Sequence, residues 1–78
     1  MIQIKLVEML ELRGMTMYQL SKATGVRPNT VSQWVHSEEL RRENKDVKAI
    51  SVDVLNAFCR ALDCKTSDII EYIRDAND

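Results

Sequence analysis

The segment 16–34 constrains the fold of this chain more than any other part of the sequence. Thr16 is a typical N-cap, and Leu20 lies where the following helix would turn an apolar side chain toward a core. Gly25 predicts a left-handed end to that helix, because glycine adopts this conformation without a Cβ penalty. Small Ser21 allows a second helix to approach closely. The segment therefore predicts two helices joined by a turn of about three residues.

The second helix of this pair is expected to bury one side and expose the other. Val26 would fix the turn and Pro28 would lie near the first helical position, where proline is well tolerated. A buried stripe is predicted at Val31, Trp34 and Val35. The side chains left outside are Arg27, Asn29, Thr30, Ser32, Gln33 and His36. None is a carboxylate, so this face suits the major groove of DNA.

Size and composition favour one small helical domain. The chain has 78 residues, of which 45% are hydrophobic and 29% charged, with two glycines and one proline. The longest apolar run is 57–59, far short of the roughly 20 residues of a membrane-spanning helix, so a cytoplasmic protein is expected. Cys59 and Cys64 are too few for a disulfide scaffold and lack the partners of a zinc site. No metal, cofactor or enzyme activity is expected, because no catalytic set of residues is present.

The charges are unevenly distributed along the chain. The net charge is −1, but residues 13–36 carry Arg13, Lys22 and Arg27 and no acidic residue. Residues 49–78 carry an excess of acidic side chains. A cationic patch is therefore expected to coincide with the helix pair, with the acidic end directed away from nucleic acid.

The apolar spacing predicts an all-α domain of five helices over residues 1–74, followed by a frayed tail at 75–78. The predicted helices are 4–13, 17–24, 28 to at least 35, one capped by Ser51 that runs to 62, and one capped by Thr66 that runs to about 74. Alternating residues in 1–6 leave a short N-terminal strand as an alternative. Segment 37–49 lacks an apolar stripe and is either a helical extension or a loop.

Several segments resemble the Cro/CI-type (XRE-type) helix-turn-helix repressors of bacteria and phages. The matching stretches are GMTMYQLS (14–21), TGVRPNTVSQW (24–34), ISVDVL (50–55), CRALDC (59–64) and DIIEY (68–72). The resemblance covers nearly the whole chain apart from 37–49. It implies a compact, lambda-repressor-like five-helix domain that binds double-stranded DNA at a specific operator, usually as a homodimer.

The resemblance also implies which residues contact DNA. The base-reading positions fall on Pro28, Asn29, Ser32 and Gln33. The phosphate contacts fall around Met17, Arg27 and the segment that follows the second helix of the pair. We also expect phosphate contacts at Thr16, Tyr18, Thr30 and His36. Met17 replaces a glutamine that is usual in the family, and its thioether cannot donate a hydrogen bond. Pro28 replaces a polar base reader and offers only apolar contact.

Asn29 and Gln33 are four residues apart and therefore project from the same side of a helix. Each amide carries a donor and an acceptor, which suits bidentate pairing with adenine in the major groove. Asn29 has an alternative role in satisfying the helix N-terminus. Gln33 is expected to be exposed and without a local partner, so Gln33→Ala is expected to flatten sequence preference.

Two functions remain in view from the sequence. The first is a transcriptional regulator, a repressor acting by operator occupancy, with no small-molecule effector. Its dimer surface would lie at Ile69, Ile70, Tyr72 and Ile73, although burial of these side chains within the monomer core is the favoured alternative. The second is a protein-interaction module or antitoxin-like partner that has kept the scaffold but binds DNA weakly or not at all.

Overall fold

The architecture is mostly helical, with one small sheet that joins the two ends of the chain. The structure is a computed structural model, and it describes residues 1–74. Its elements in chain order are β1 (Ile2–Ile4), α1 (Leu6–Arg13), α2 (Met17–Thr24), α3 (Pro28–Val35), α4 (Ser37–Arg41), α5 (Val52–Leu62), α6 (Thr66–Ile69) and β2 (Ile70–Tyr72). The all-α expectation is confirmed in outline, with six helices in the described range rather than five. The predicted tail, 75–78, lies outside the described residues.

One apolar core holds the helices together. Its largest fully buried side chains come from α1, α2, α3, α5 and α6: Leu6, Leu20, Val31, Phe58, Leu62 and Ile69. Burying side chains of this size stabilises a domain by about 1.5–3 kcal/mol each. The core therefore fixes α2 and α3 against α1 and α5. No helix within residues 1–74 is long and apolar enough to cross a membrane.

Local capping signals place the ends of the helices. Gly14 ends α1 and Gly25 ends α2, both in the left-handed conformation, with φ of 62° and 75°. The Ser51 hydroxyl accepts a hydrogen bond from the Val54 N–H at 3.3 Å, as predicted for the start of α5. These ends agree with the sequence prediction because each signal acts within a few residues of the boundary.

The sheet corrects the predicted start of the first helix. β1 pairs with β2 in antiparallel register, Ile2 opposite Tyr72 and Ile4 opposite Ile70. The Lys5 N–H donates to the Ile69 carbonyl at 2.6 Å, and the Lys5 ammonium lies 3.3 Å from the Glu71 carboxylate. Helix α1 therefore begins at residue 6 rather than 4. The alternating pattern in 1–6 forms the strand that was the alternative prediction.

The predicted fifth helix is wrong in its length and in its cap. α6 ends at Ile69, and the chain continues as β2 because its backbone pairs with β1. Thr66 lies inside the helix, with Lys65 at the N-cap position. The Asp68 carboxylate accepts the Lys65 N–H at 3.0 Å, so Asp68 satisfies the helix start.

Segment 37–49 contains both of the structures between which the sequence left a choice. Its first part is the short helix α4, and the chain then turns at Asn44, whose φ of 59° is left-handed. The Lys45 N–H bonds the Leu40 carbonyl at 2.9 Å, which closes the turn. Val47 and Ile50 pack against the core and return the chain to α5.

Candidate nucleic-acid interface

Hydroxyl groups stabilise the turn between α2 and α3. The Ser21 hydroxyl donates to the Val26 carbonyl at 2.7 Å. The Thr24 hydroxyl donates to the Leu20 carbonyl at 2.7 Å and accepts the Val26 N–H at 3.1 Å. Ser21 is buried, so its small size and its hydrogen bond both serve the close contact of the two helices. The turn is therefore held by side chains as well as by the glycine.

The inner side of α3 is anchored in the core, as predicted. Val31 is fully buried and Trp34 is 3% exposed. The Trp34 ring meets Phe58 of α5 edge to face, with centroids 5.1 Å apart and an interplanar angle of 88°. Aromatic pairs of this geometry add about 0.5–1.5 kcal/mol beyond area burial. The anchored stripe fixes which side of α3 faces outward.

We call the outward side chains of Pro28, Asn29, Thr30, Ser32 and Gln33 the α3 face. Pro28 and Asn29 are exposed, and the other three are half-buried. Within residues 1–74 the side chains of Asn29, Thr30 and Ser32 make no hydrogen bond or ion pair. Asn29 therefore does not use its amide to satisfy the helix N-terminus. Its donor and acceptor are both available to a ligand.

The expectation that Gln33 has no local partner is wrong. Its Nε2 donates to the Lys45 carbonyl at 3.1 Å, across to the chain that follows α4. Gln33 is also half-buried rather than exposed. The sequence could not indicate this contact, because the loop that supplies the carbonyl has no regular pattern. One N–H and the carbonyl of the Gln33 amide are left for a ligand.

The start of α2 carries a reciprocal cap. The Gln19 N–H donates to the Thr16 hydroxyl at 3.1 Å, and the Thr16 N–H donates to the Gln19 side-chain carbonyl at 2.9 Å. The N–H groups of Met17 and Tyr18 have no carbonyl one turn earlier within the helix. Both of their side chains are exposed, and Tyr18 has the Lys22 ammonium 5.4 Å from its ring centroid. This helix start can receive an anion through backbone N–H groups.

The cationic patch is smaller than the sequence predicts. The Arg13 guanidinium donates to the carbonyls of Leu62 and Asp63 at 2.7 and 3.1 Å, and so caps the C-terminal end of α5. Lys22 and Arg27 make no ion pair within residues 1–74. Two of the three cations in 13–36 are therefore free of carboxylates, while the third serves the fold.

His36 lies at the junction of α3 and α4, beside an acidic side chain. Its Nδ1 is 2.9 Å from the Glu39 carboxylate, whose side chain is 77% exposed. The α3 face itself has no carboxylate, but the Glu39 carboxylate lies beside His36, just beyond the C-terminal end of α3. A phosphate contact through His36 Nδ1 would have to compete with this contact to Glu39.

Cys59 lies in the last turn of α5, and Cys64 follows two residues after its end. Both are free and half-buried. Burial, with the nearby Cys59 thiol, raises the pKa of Cys64 to about 11. Within residues 1–74 no three His, Cys, Asp or Glu side chains are grouped as metal ligands would be.

Comparisons with known proteins agree with this geometry. Residues 5–75 match the family described as the Cro/C1-type HTH DNA-binding domain. Over 67 residues the chain is 34% identical to an uncharacterized HTH-type transcriptional regulator, YozG, of Bacillus subtilis (strain 168), an alignment covering 86% of this chain and 70% of that protein. No solved structure matches the chain. The chain therefore belongs to the Cro/C1-type helix-turn-helix family of DNA-binding transcriptional regulators.

Proposed function

We propose that this protein is a repressor that binds a specific operator through the α3 face and acts by occupying it. The observation that carries the proposal is the row of unpartnered polar side chains at Asn29, Thr30 and Ser32. These amide and hydroxyl groups have no competing partner within residues 1–74, so they can supply donors and acceptors to base edges and phosphates. Trp34 supports the row from below, so a ligand would meet a rigid surface.

Base recognition is assigned to Pro28, Asn29, Ser32 and Gln33. The Asn29 amide can accept from N6 and donate to N7 of an adenine, a pairing worth about 1–3 kcal/mol of discrimination. The Gln33 amide keeps one donor and one acceptor for a second base. Pro28 offers an apolar surface that suits a thymine methyl group.

Contacts to the phosphates of DNA are assigned to residues in and beside the same two helices, α2 and α3. At the start of α2 the free N–H groups of Met17 and Tyr18 suit a phosphate, and the Thr16 hydroxyl still has a proton to donate. The remaining assigned positions are Arg27, Thr30 and His36. Arg27 is the strongest of these, because its guanidinium is exposed and has no carboxylate partner within residues 1–74. These contacts set affinity and register but carry no sequence information.

A homodimer would give such a small module a useful affinity, with two half-sites about one DNA turn apart. For one of the four side chains expected at the dimer surface the expectation is wrong, because Ile69 is fully buried in the monomer. Ile70 is half-buried, whereas Tyr72 and Ile73 are 62% and 36% exposed. Ile2, opposite Tyr72 in the sheet, is 49% exposed and extends this apolar surface. Sedimentation equilibrium tests the dimer; monomer alone at high micromolar concentration would remove it.

The test of the proposal is selection of bound sequences from a random duplex pool, followed by titration of Asn29→Ala on the selected duplex. We expect the variant to lose about 1–3 kcal/mol of discrimination against a changed adenine while its stability is kept. Asn56→Ala, at an exposed asparagine of α5, is the matched control and should bind as wild type. If the wild type enriches no sequence and its binding to duplex DNA is insensitive to salt, the protein-interaction alternative is favoured instead.

A further inference from the structure

A side chain of α3 makes a hydrogen bond to the loop at 42–48. The Gln33 amide on α3 donates to the Lys45 carbonyl at 3.1 Å, over a separation of twelve residues. Gln33 is one helical turn beyond Asn29 on the same side of the helix. The contact therefore places the loop directly beside the α3 face.

The backbone of Lys45 is held at both of its polar groups. Its N–H donates to the Leu40 carbonyl at 2.9 Å, and its carbonyl accepts from Gln33. The preceding residue, Asn44, has a left-handed φ of 59°, which closes the turn after α4. Without the Gln33 contact, the Lys45 backbone would keep only the bond from its N–H to Leu40 and the packing of nearby Val47 on the core, so the turn would open more readily.

The charges of the loop leave Lys45 without an acidic partner. The Asp46 carboxylate pairs with Lys48 at 2.8 Å and with Arg41 at 3.7 Å. Lys45 is exposed and makes no ion pair within residues 1–74. Asp46 is thus neutralised by Lys48 and by Arg41 of α4, while Glu43 makes no ion pair within the described residues. The Lys45 side chain is exposed, on a backbone that is bonded to the α3 face.

We propose that Gln33 is a positioning residue that holds Lys45 where its ammonium contacts a phosphate of the same DNA that α3 binds. The proposal rests on the proposed DNA-binding function of the α3 face. A positioning role for Gln33 predicts an effect on affinity that a role in base recognition alone does not predict. Because a phosphate contact is independent of sequence, Gln33 must contribute to affinity for DNA of any sequence.

The experiment measures binding to a random-sequence duplex between 50 and 200 mM salt. The slope of log affinity against log salt concentration becomes about 0.9 less steep for each phosphate contact that is lost. Over this fourfold range of salt, the affinity of such a variant therefore falls by a factor about 3.5 times smaller than that of the wild type. We expect this change in Lys45→Ala, and the same change, in whole or in part, in Gln33→Met, which keeps the side-chain length but has no donor. The double variant should lose no more than Lys45→Ala, and Asn56→Ala, at an exposed asparagine of α5, should keep the wild-type slope. A wild-type slope in Gln33→Met, or additive losses in the double variant, would overturn the proposal.

A second measurement needs no DNA. Amide hydrogen exchange at Lys45 should become faster in Gln33→Met, while exchange at Leu20 and Val31 in the core stays at the wild-type rate. If the wild type does not bind duplex DNA, the proposed function fails and this proposal with it. If the wild type binds DNA but Lys45 exchange is the same in both proteins, only the positioning role is refuted.

Discussion

The α3 face and the terminal sheet, formed by β1 and β2, both present polar side chains to solvent. Those at the sheet are paired within the chain, whereas most of those on the α3 face are not. In and beside the sheet, Lys5 pairs with Glu71 at 3.3 Å, and Gln3 donates to Glu38 of α4 at 2.8 Å. On the α3 face, Asn29 has no such partner within residues 1–74. The sheet uses its polar groups to join distant parts of the chain. The α3 face leaves most of its polar groups for a ligand, and this contrast is what points to a function.

The largest expected effect comes from removing the support that holds α3 in the core. Trp34→Ala deletes a nearly buried indole that packs on Phe58, and such deletions cost about 3–5 kcal/mol. That is a large part of the stability of a domain this small. Urea denaturation should show the loss. Val52→Ala, at a side chain 78% exposed, is the control and should change stability by no more than about 0.5 kcal/mol.

The contrast would be weakened if Trp34→Ala unfolded no more easily than the control. The α3 face would then lack rigid support, and its unpartnered row would be one conformation among several rather than a fixed surface.

The second prediction separates two arginines that the sequence places in one cationic patch. Arg13→Ala removes the bonds to the Leu62 and Asp63 carbonyls and should lower the free energy of unfolding by about 1 kcal/mol. Its salt slope for DNA binding should stay unchanged. Arg27→Ala should do the reverse, with the slope falling by about 0.9 for each bound subunit and stability nearly unchanged. Urea denaturation and salt titration of both variants check this. A lower salt slope in Arg13→Ala together with a loss of stability in Arg27→Ala would contradict it.

How far the sequence could predict these features depends on the distance over which each is determined. The ends of α2 and α5 follow from Thr16, Gly25 and Ser51, whose effects act within one helical turn. β2 could not be foreseen, because its partner strand lies some 70 residues away in the chain and the local apolar pattern at 69–73 fits a helix equally well.

Within the candidate site, the identity of the buried stripe was predictable and the polar contacts were not. Trp34 follows from helical spacing alone. The bonds of Arg13 to Leu62 and of Gln33 to Lys45 join residues 49 and 12 positions apart, and nothing in the local sequence at either end indicates them. Long flexible side chains reach partners that only the tertiary fold brings near.

The smallest expected effect concerns pH. The hydrogen bond from Lys48, together with the charges of Lys48 and Arg41, holds the pKa of Asp46 below its ordinary value of 3.8. A carboxyl whose pKa is lowered by folding stabilises the folded state above its unfolded pKa, and this contribution is lost as pH falls through the folded value. The free energies of unfolding of wild type and Asp46→Asn should therefore differ at pH 6 and converge below pH of about 3.8. Urea denaturation across this range checks it; a constant difference would contradict the assigned ion pairs.

The most direct test of the central claim follows the side-chain amide signals of Asn29 and Gln33 by NMR while a selected duplex is added, with Asn56 as the internal reference. We predict large shifts for Asn29 and Gln33, with the Asn56 signal unmoved. Shifts confined to residues of the terminal sheet, with Asn29 unchanged at saturating DNA, would contradict the account.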